Sequence, residues 1–143
     1  MQYLKLHSAN EIYESLVEFE ACFPHMKEKI PSLKEFSEKL HCNAEVYIAC
    51  EDENNLGFVA FYANDQVEYC GYITLIGVLE KYRHKGIGKK ILFHALDEMK
   101  NKCMKKCKLE VDKDNYSAQT FYNKTGFIKT EEKPSSFYME KEI

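Results

Sequence analysis

A short strand and two helices are predicted for the N-terminal part of the chain, because its apolar residues recur at helical spacing after residue 6. The strand covers residues 3–6, and Asn10 is expected to cap the first helix. The apolar side of that helix is formed by Ile12, Leu16, Val17 and Phe19. Phe23-Pro24 ends it, because proline lacks the amide hydrogen that a helix needs. The second helix covers residues 32–40, with Ser32 as its cap and Leu33, Phe36 and Leu40 facing inward.

From residue 46 the spacing of apolar residues changes to the alternation that is typical of β-strands. The predicted strands cover residues 46–50, 56–62 and 67–79. Polar segments at 51–55 and 64–66 supply the turns between them, so these strands should pair antiparallel. Gly77 interrupts the third strand near its end, where a glycine often marks a bulge or a close backbone approach.

The C-terminal half alternates helices with shorter strands. The helix predicted over residues 88–102 has the clearest apolar stripe, formed by Ile91, Leu92, Ala95, Leu96 and Met99. A second helix is predicted over residues 116–124, with Asn115 as its cap and Gly126 just beyond its end. The remaining strands are predicted over residues 108–111, 127–131 and 136–141.

This order of elements predicts a fold of mixed α+β or α/β class. We expect a central, mostly antiparallel sheet of six to seven strands, with about four helices packed on both faces and one parallel step across the helix at 88–102. A chain of 143 residues is of ordinary size for one domain, so residues 1–143 are expected to form a single unit.

The composition is that of a globular protein, with 45% hydrophobic and 30% charged residues. We expect a cytoplasmic protein, because no apolar run approaches the roughly 20 residues that cross a bilayer and the N-terminus does not resemble a signal peptide. The six cysteines form no Cys-x-x-Cys pair and are expected to be buried hydrophobic residues in a reducing compartment. No His or Cys set has the spacing of a zinc site, so we expect no metal.

A basic, glycine-containing turn joins the long strand to the next helix and is typical of a phosphate-binding site. Its sequence is Arg83-His84-Lys85-Gly86-Ile87-Gly88, and Lys89 follows. Glycines let the backbone approach a ligand, and a helix start presents N–H groups without internal partners. Residues 81–113 hold eleven Lys or Arg against four Asp or Glu. We predict a phosphorylated cofactor at this turn; a solvated basic helix face is the simpler alternative for the charge.

Two motifs resemble those of the GNAT superfamily of acyl-CoA-dependent N-acyltransferases. The family's pyrophosphate motif, Gln/Arg-x-x-Gly-x-Gly/Ala, reads here as Arg83-x-x-Gly86-x-Gly88. Its second pattern, Asn-x-x-Ala-x-x-hydrophobic-Tyr-x-x-x-Gly-Phe, is matched by Asn115, Ala118, Phe121, Tyr122, Gly126 and Phe127. The resemblance covers about residues 45–131 and implies a GNAT-like fold. Glu80 departs from it, since many members have proline there.

The resemblance also implies acetyl-CoA as the co-substrate and a set of contacts to it. Strand amides near Ile76 and Val78 would pair with the pantetheine arm as another strand does. The pyrophosphate would lie on the turn formed by Arg83, His84, Lys85, Gly86, Ile87, Gly88 and Lys89. Asn115 would contact the pantetheine region, and Tyr122 would stand near the sulfur.

The implied reaction is direct transfer of an acetyl group to a primary amine in a ternary complex. Tyr122 is the candidate general acid for the departing thiolate, because a phenol of pKa about 10 stays protonated at neutral pH. A plain core aromatic is the alternative for this residue. The general base is left open, since Tyr72 lies where some members have a glutamate. The other candidates are Glu68, Thr74, Glu20 and His25.

The acceptor is expected to be a small-molecule or peptide amine bound near Phe19, Glu20 and Phe23. No nucleic-acid or membrane partner is expected, and a homodimer is left open. Two other functions stay as alternatives: an acyl-CoA-binding sensor or partner module without turnover, and a nucleic-acid-binding module that uses the basic block at 81–113. The second is disfavoured because the block lacks interleaved aromatic residues and the chain is acidic overall.

Overall fold

A seven-stranded mixed sheet forms the centre of the protein, in a computed structural model that describes residues 1–143. The strands are β1 (Gln2–Lys5), β2 (Glu45–Glu51), β3 (Asn54–Tyr62), β4 (Cys70–Val78), β5 (Lys106–Asp112), β6 (Ile128–Glu132) and β7 (Ser136–Glu142). The helices are α1 (Ala9–Glu18), α2 (Met26–Lys29), α3 (Leu33–Asn43), α4 (Ile87–Asn101) and α5 (Tyr116–Lys124). The predicted fold class is confirmed, and α2 is a short helix that the sequence did not indicate.

The strand order is β1-β2-β3-β4-β5-β7-β6, and every neighbouring pair is antiparallel except β4 with β5. The parallel pair is short, running from Cys70 opposite Lys106 to Tyr72 opposite Lys108. Beyond Tyr72 the two strands separate. The predicted parallel step across α4 is therefore confirmed. Because this pairing is short, one edge of β4 is unpaired along most of its length.

Helices cover both faces of the sheet, each above its own hydrophobic core. On one face α1 and α3 pack on β2 and β3, around Leu16, Phe19, Leu40 and Phe58. On the other face α4 and α5 pack on the middle of the sheet. The stripe predicted for α4 is confirmed, since all of its members are buried: Ile91, Leu92, Ala95, Leu96 and Met99.

Two details predicted for α1 are wrong. Its cap is Ser8, whose hydroxyl accepts a hydrogen bond from the amide of Glu11 at 3.1 Å, so Asn10 lies inside the helix. Val17 is 48% exposed, because the inward positions are taken by Ile12 and Leu16. The cap of α3 at Ser32 is confirmed, since its hydroxyl accepts from the amide of Glu35 at 3.2 Å.

The strand predicted over residues 67–79 begins later, at Cys70. The carboxylate of Asp65 accepts hydrogen bonds from the amides of Val67 and Glu68, and this turn replaces the start of the strand. The bulge suggested at Gly77 lies elsewhere: Ala60 pairs with Leu75 and Phe61 with Ile73, which leaves Thr74 as the extra residue. Gly77 instead marks a close approach, because a Cβ atom there would lie 2.8 Å from the Cβ of Cys22.

The cysteines were predicted to be buried, and this is wrong for most of them. Only Cys107 is buried, whereas Cys42 and Cys103 are exposed and the other three are intermediate. All six are free thiols. None of the helices is both long enough and apolar enough to cross a membrane.

Candidate active site

A cleft of about 600 Å³ opens where β4 and β5 separate. Its walls are Tyr72 to Ile76 of β4 and Leu109 to Asp112 of β5, with Tyr122 of α5 beside them. Residues of the segment between α1 and α3, from Cys22 to Ile30, also line it. The cleft exists because β4 and β5 are joined by a long helical connection and pair over only three residues each.

The edge of β4 that faces this cleft has no strand partner beyond Tyr72. Ile76 pairs with Val59 of β3 on the opposite edge, and Val78 pairs with Gly57. An unpaired strand edge presents N–H and C=O groups to any extended ligand that enters. Ile76 lines the cleft, whereas Val78 lies at its end, next to the basic turn.

The basic turn adopts the backbone conformation that its glycines favour. Gly86 is the N-cap of α4 with φ 79°, and His84 also has a positive φ of 64°. No side chain caps this helix, so the N–H groups of its first turn keep their hydrogen-bonding capacity. The side chains of Arg83, Lys85 and Lys89 are exposed around the same point. The turn therefore combines free amides, a helix N-terminus and positive charge.

Asn115 is both the cap of α5 and a lining residue of the cleft. Its Oδ1 accepts a hydrogen bond from the amide of Ala118 at 3.2 Å. This bond confirms the predicted cap and leaves the side-chain NH₂ group as a donor. The structure thus brings Asn115 to the same cleft as Ile76, while the turn at 83–89 follows at the end of β4.

Tyr122 lines the cleft from a buried position, with 7% of its surface exposed. Its ring packs edge-on against Phe121 and Phe127, at centroid distances of 5.2 and 5.5 Å. Burial raises the pKa of Tyr122 well above its ordinary value, with a smaller contribution from Cys107. The phenol is therefore protonated at neutral pH and can donate a hydrogen bond.

The candidate bases from the sequence fall into two groups. Thr74 and His25 line the cleft. Glu20 lies outside it, paired with Lys27 at 2.9 Å, and Glu68 lies in the turn before β4. Neither of these carboxylates reaches the cleft.

Sequence reasoning missed the acidic residues that β5 brings to the cleft. Glu110 and Asp112 point away from the core that holds Leu109 and Val111, as strand alternation requires. Burial raises the pKa of Tyr72 to about 12, and the negative charge of Glu110 contributes. The alternation was visible in the sequence, but it could not show that this face of β5 borders an opening.

A second cluster lies at the end of β5. One nitrogen of His25 and one carboxylate oxygen each of Asp112 and Asp114, atoms of the kind that ligate metal ions, all lie within 4.8 Å of one another. The ammonium group of Lys29 lies 3.2 Å from Oδ1 of Asp112 and supplies a positive charge to this cluster. This cluster of one histidine and two aspartates was not predicted from the sequence. The cleft is therefore acidic at its β5 wall and basic at the turn that follows β4.

Known proteins resemble this chain both in sequence and in fold. A segment of 59 residues is 37% identical to N-alpha-acetyltransferase 30 of Schizosaccharomyces pombe, and it covers 41% of this chain and 39% of that protein. A segment of 61 residues is 41% identical to the spermidine N(1)-acetyltransferase of Thermoplasma acidophilum, with coverage of 43% and 38%. The matched segments thus span about two fifths of these relatives.

A solved structure matches over the whole length of both chains. It is the PaiA N-acetyltransferase of Thermoplasma acidophilum in complex with coenzyme A, with a TM-score of 0.76 and 25% identity. The model of the acetyltransferase (GNAT) family matches residues 9–127, which include the cleft, the basic turn and α5. The chain belongs to the GNAT family of acetyltransferases.

Proposed function

We propose that this protein transfers an acetyl group from acetyl-CoA to a primary amine of a small molecule or peptide, directly in a ternary complex. The observation that carries the proposal is the cleft between β4 and β5, which ends at a basic turn and a free helix N-terminus. An extended, phosphorylated thioester fits both features. Family membership and the coenzyme A bound by the PaiA relative support the same cofactor.

The cofactor would lie along the unpaired edge of β4. In this arrangement the amides near Ile76 and Val78 bond the pantetheine arm, and Asn115 donates to it from the opposite side. The pyrophosphate lies on the backbone of the turn at 83–88, with Lys89 beside it. Its negative charge is favoured by the helix dipole and the exposed basic side chains.

Positioning supplies most of the catalysis in this proposal. The amine nitrogen attacks the thioester carbonyl, the carbon–sulfur bond breaks, and CoA leaves as a thiol. Holding the two reactants in line contributes as much as about 7–11 kcal/mol. Neutralising an amine of pKa about 10.4 at pH 7 costs about 4.6 kcal/mol. A modest base is therefore sufficient, and we assign this role to Glu110, directly or through water. Its Oε2 accepts a hydrogen bond from the hydroxyl of Ser136 and lies 3.6 Å from Nζ of Lys133, which leaves Oε1 to take the proton.

We assign to Tyr122 the role of stabilising the leaving group, the thiolate of CoA. Its phenol is buried and protonated, so it can donate a hydrogen bond to the sulfur as negative charge develops there. A raised pKa makes the phenol a weaker acid than a thiol of pKa about 8.5. Its contribution is therefore to stabilise the thiolate by a hydrogen bond, and the proton that the attacking amine releases balances the thiolate as CoA leaves.

The proposal is tested by following CoA thiol release from acetyl-CoA against a panel of polyamines, aminoglycosides, amino acids and short peptides. Amine-dependent release supports the transferase. Acetyl-CoA binding by calorimetry without release for any amine would favour the sensor module instead.

Binding to DNA or RNA is disfavoured because several lysines of the 81–113 block are paired with carboxylates that are distant in the sequence. These pairs are Lys102 with Glu45, Lys106 with Glu140 and Lys113 with Glu132.

A further inference from the structure

The turn between β6 and β7 reaches the wall of the cleft that carries Glu110. Ser136, the first residue of β7, lies opposite Asp112 at the end of β5. Its hydroxyl donates a hydrogen bond to Oε2 of Glu110 at 2.5 Å. A distance this short is typical of a hydroxyl that donates to a charged carboxylate. The carboxylate that we assign as the general base is therefore held by a residue that does not itself line the cleft.

Ser136 is fixed on both sides of this hydrogen bond. Only 4% of the residue is exposed, and a buried hydroxyl needs a partner, which Glu110 supplies. The carbonyl oxygen of Ser136 accepts from the amide of Lys133 at 2.8 Å, which closes the turn. The carbonyl oxygen of Ser135 accepts from the amide of Lys113 at 2.9 Å, which ties the turn to the residue after β5.

Lys133 approaches the same oxygen of Glu110 from the other side of the turn. Its Nζ lies 3.6 Å from Oε2 of Glu110 and donates a hydrogen bond of 2.8 Å to the hydroxyl of Tyr138, the residue opposite Glu110 in β7. Both partners thus converge on Oε2, and Oε1 has no hydrogen-bond partner in the protein. The other ionisable groups around this carboxylate are Tyr72 of β4 and, two positions away on β5, Lys108 and Asp112.

A glutamate side chain rotates about several bonds, so it works as a base only when its carboxylate is held within reach of the amine. Resting on the function proposed above, we infer that Ser136 and Lys133 are positioning residues, which hold Oε2 of Glu110 so that Oε1 takes the proton of the attacking amine. Neither residue touches the substrate, and both act through Glu110. The turn between β6 and β7 is therefore part of the catalytic machinery.

Substitutions in this turn test the inference through thiol release, measured at saturating acetyl-CoA with the amine of the panel above that gives the highest kcat/KM. Ser136→Ala should lower kcat about tenfold or more, the size of one hydrogen bond to a charged group, and leave the KM for acetyl-CoA unchanged. Lys133→Met should lower kcat about two- to fivefold, because a partly exposed ion pair is weak. Ser135→Ala is the matched control, since this neighbouring serine is exposed and should keep wild-type kinetics. The melting temperature is checked for each variant.

Two further measurements distinguish positioning of the base from a role in packing. Glu110→Gln should lower kcat about a hundredfold, and Ser136→Ala should cause no further loss in that background, because it acts through Glu110. The deficit of Ser136→Ala should also shrink as the pH is raised from 6.5 to 9. The neutral fraction of an amine rises with pH, so less remains for a base to do. A hydroxyl needed only for packing would lower kcat by the same factor at every pH and in both backgrounds.

The possible failures are distinguishable. A wild-type kcat in Ser136→Ala or in Lys133→Met, losses that multiply with Glu110→Gln, or a deficit that is constant with pH overturns the inference while the transferase assignment stands. A wild-type kcat in Glu110→Gln removes the assigned base and the inference together. Absence of thiol release with every amine refutes the transferase itself, and the inference with it.

Discussion

The Nε atom of Arg83 donates a hydrogen bond of 2.9 Å to the carbonyl oxygen of Val78, and this bond ties the basic turn to the end of β4. The same oxygen accepts a hydrogen bond from Sγ of Cys22 at 3.4 Å. Three segments therefore meet at one atom: the end of β4, the turn before α4 and the segment after α1. The turn is thus held by contacts of the protein itself, which lowers the entropic cost of ordering it around a cofactor.

Substitutions at Gly88 test the binding of a cofactor by the turn separately from the folding of the turn. A Cβ atom at this position would meet its nearest neighbour at 3.7 Å, an ordinary contact, so Gly88→Ala should fold with unchanged or slightly raised stability. The family motif admits alanine at this position, so Gly88→Ala should also bind acetyl-CoA about as the wild type does. Gly88→Glu should weaken acetyl-CoA binding about tenfold or more if the pyrophosphate lies here, because the added carboxylate repels it. Thermal melting and calorimetric titration of both variants measure folding and binding separately. A wild-type Kd in Gly88→Glu would remove the turn from the binding site.

Tyr122→Phe should lower kcat about a hundredfold and change the KM for acetyl-CoA much less. The ring is held by Phe121 and Phe127, so phenylalanine keeps the packing and only the hydroxyl group is lost. Tyr116→Phe is the matched control, because Tyr116 lies on the same helix but is 73% exposed, and its kinetics should be unchanged. Steady-state kinetics of both variants measure kcat and the KM for acetyl-CoA. A normal kcat for Tyr122→Phe would leave this residue as part of the core.

The basic turn and the stripe of α4 could be predicted from the sequence because both depend on local order. Glycines at fixed spacing and apolar residues at helical spacing carry their own signal. The acidic lining residues Glu110 and Asp112 could not be predicted in this way, because their position in the cleft depends on where β5 separates from β4. The start of β4 was also missed, since the turn at Asp65 competes locally with the strand. Local signals thus identified the glycine-containing basic turn, and tertiary structure was required to find the acidic residues of the cleft.

Gly57 allows β3 and α4 to approach each other closely. A Cβ atom at this position would overlap Cδ1 of Ile91 and lie 3.0 Å from the carbonyl oxygen of Gly77. Gly57→Ala should therefore lower the free energy of unfolding by about 1–3 kcal/mol. Ile91→Val removes the overlapping methyl group, so the double variant should lose less than the sum of the two single changes. Urea denaturation of the four proteins measures this coupling, and strict additivity would contradict the proposed overlap.

His94 should make the stability depend on pH in the mildly acidic range. Its ring stacks on Tyr3 at 4.0 Å, and its buried Nε2 has no hydrogen-bond partner. Burial lowers the pKa of His94 below its ordinary value, although the charges of Glu98 and Asp97 oppose this shift. The unfolded chain therefore binds a proton first, and stability should fall as the pH drops from about 6.5 through the folded-state pKa. His94→Phe keeps a stacked ring and has no titrating group at this position. The free energy of unfolding of His94→Phe minus that of the wild type, measured by urea denaturation, should therefore increase as the pH is lowered from 7.5 to 5. A difference that stays constant with pH would show that His94 titrates alike in the folded and unfolded states.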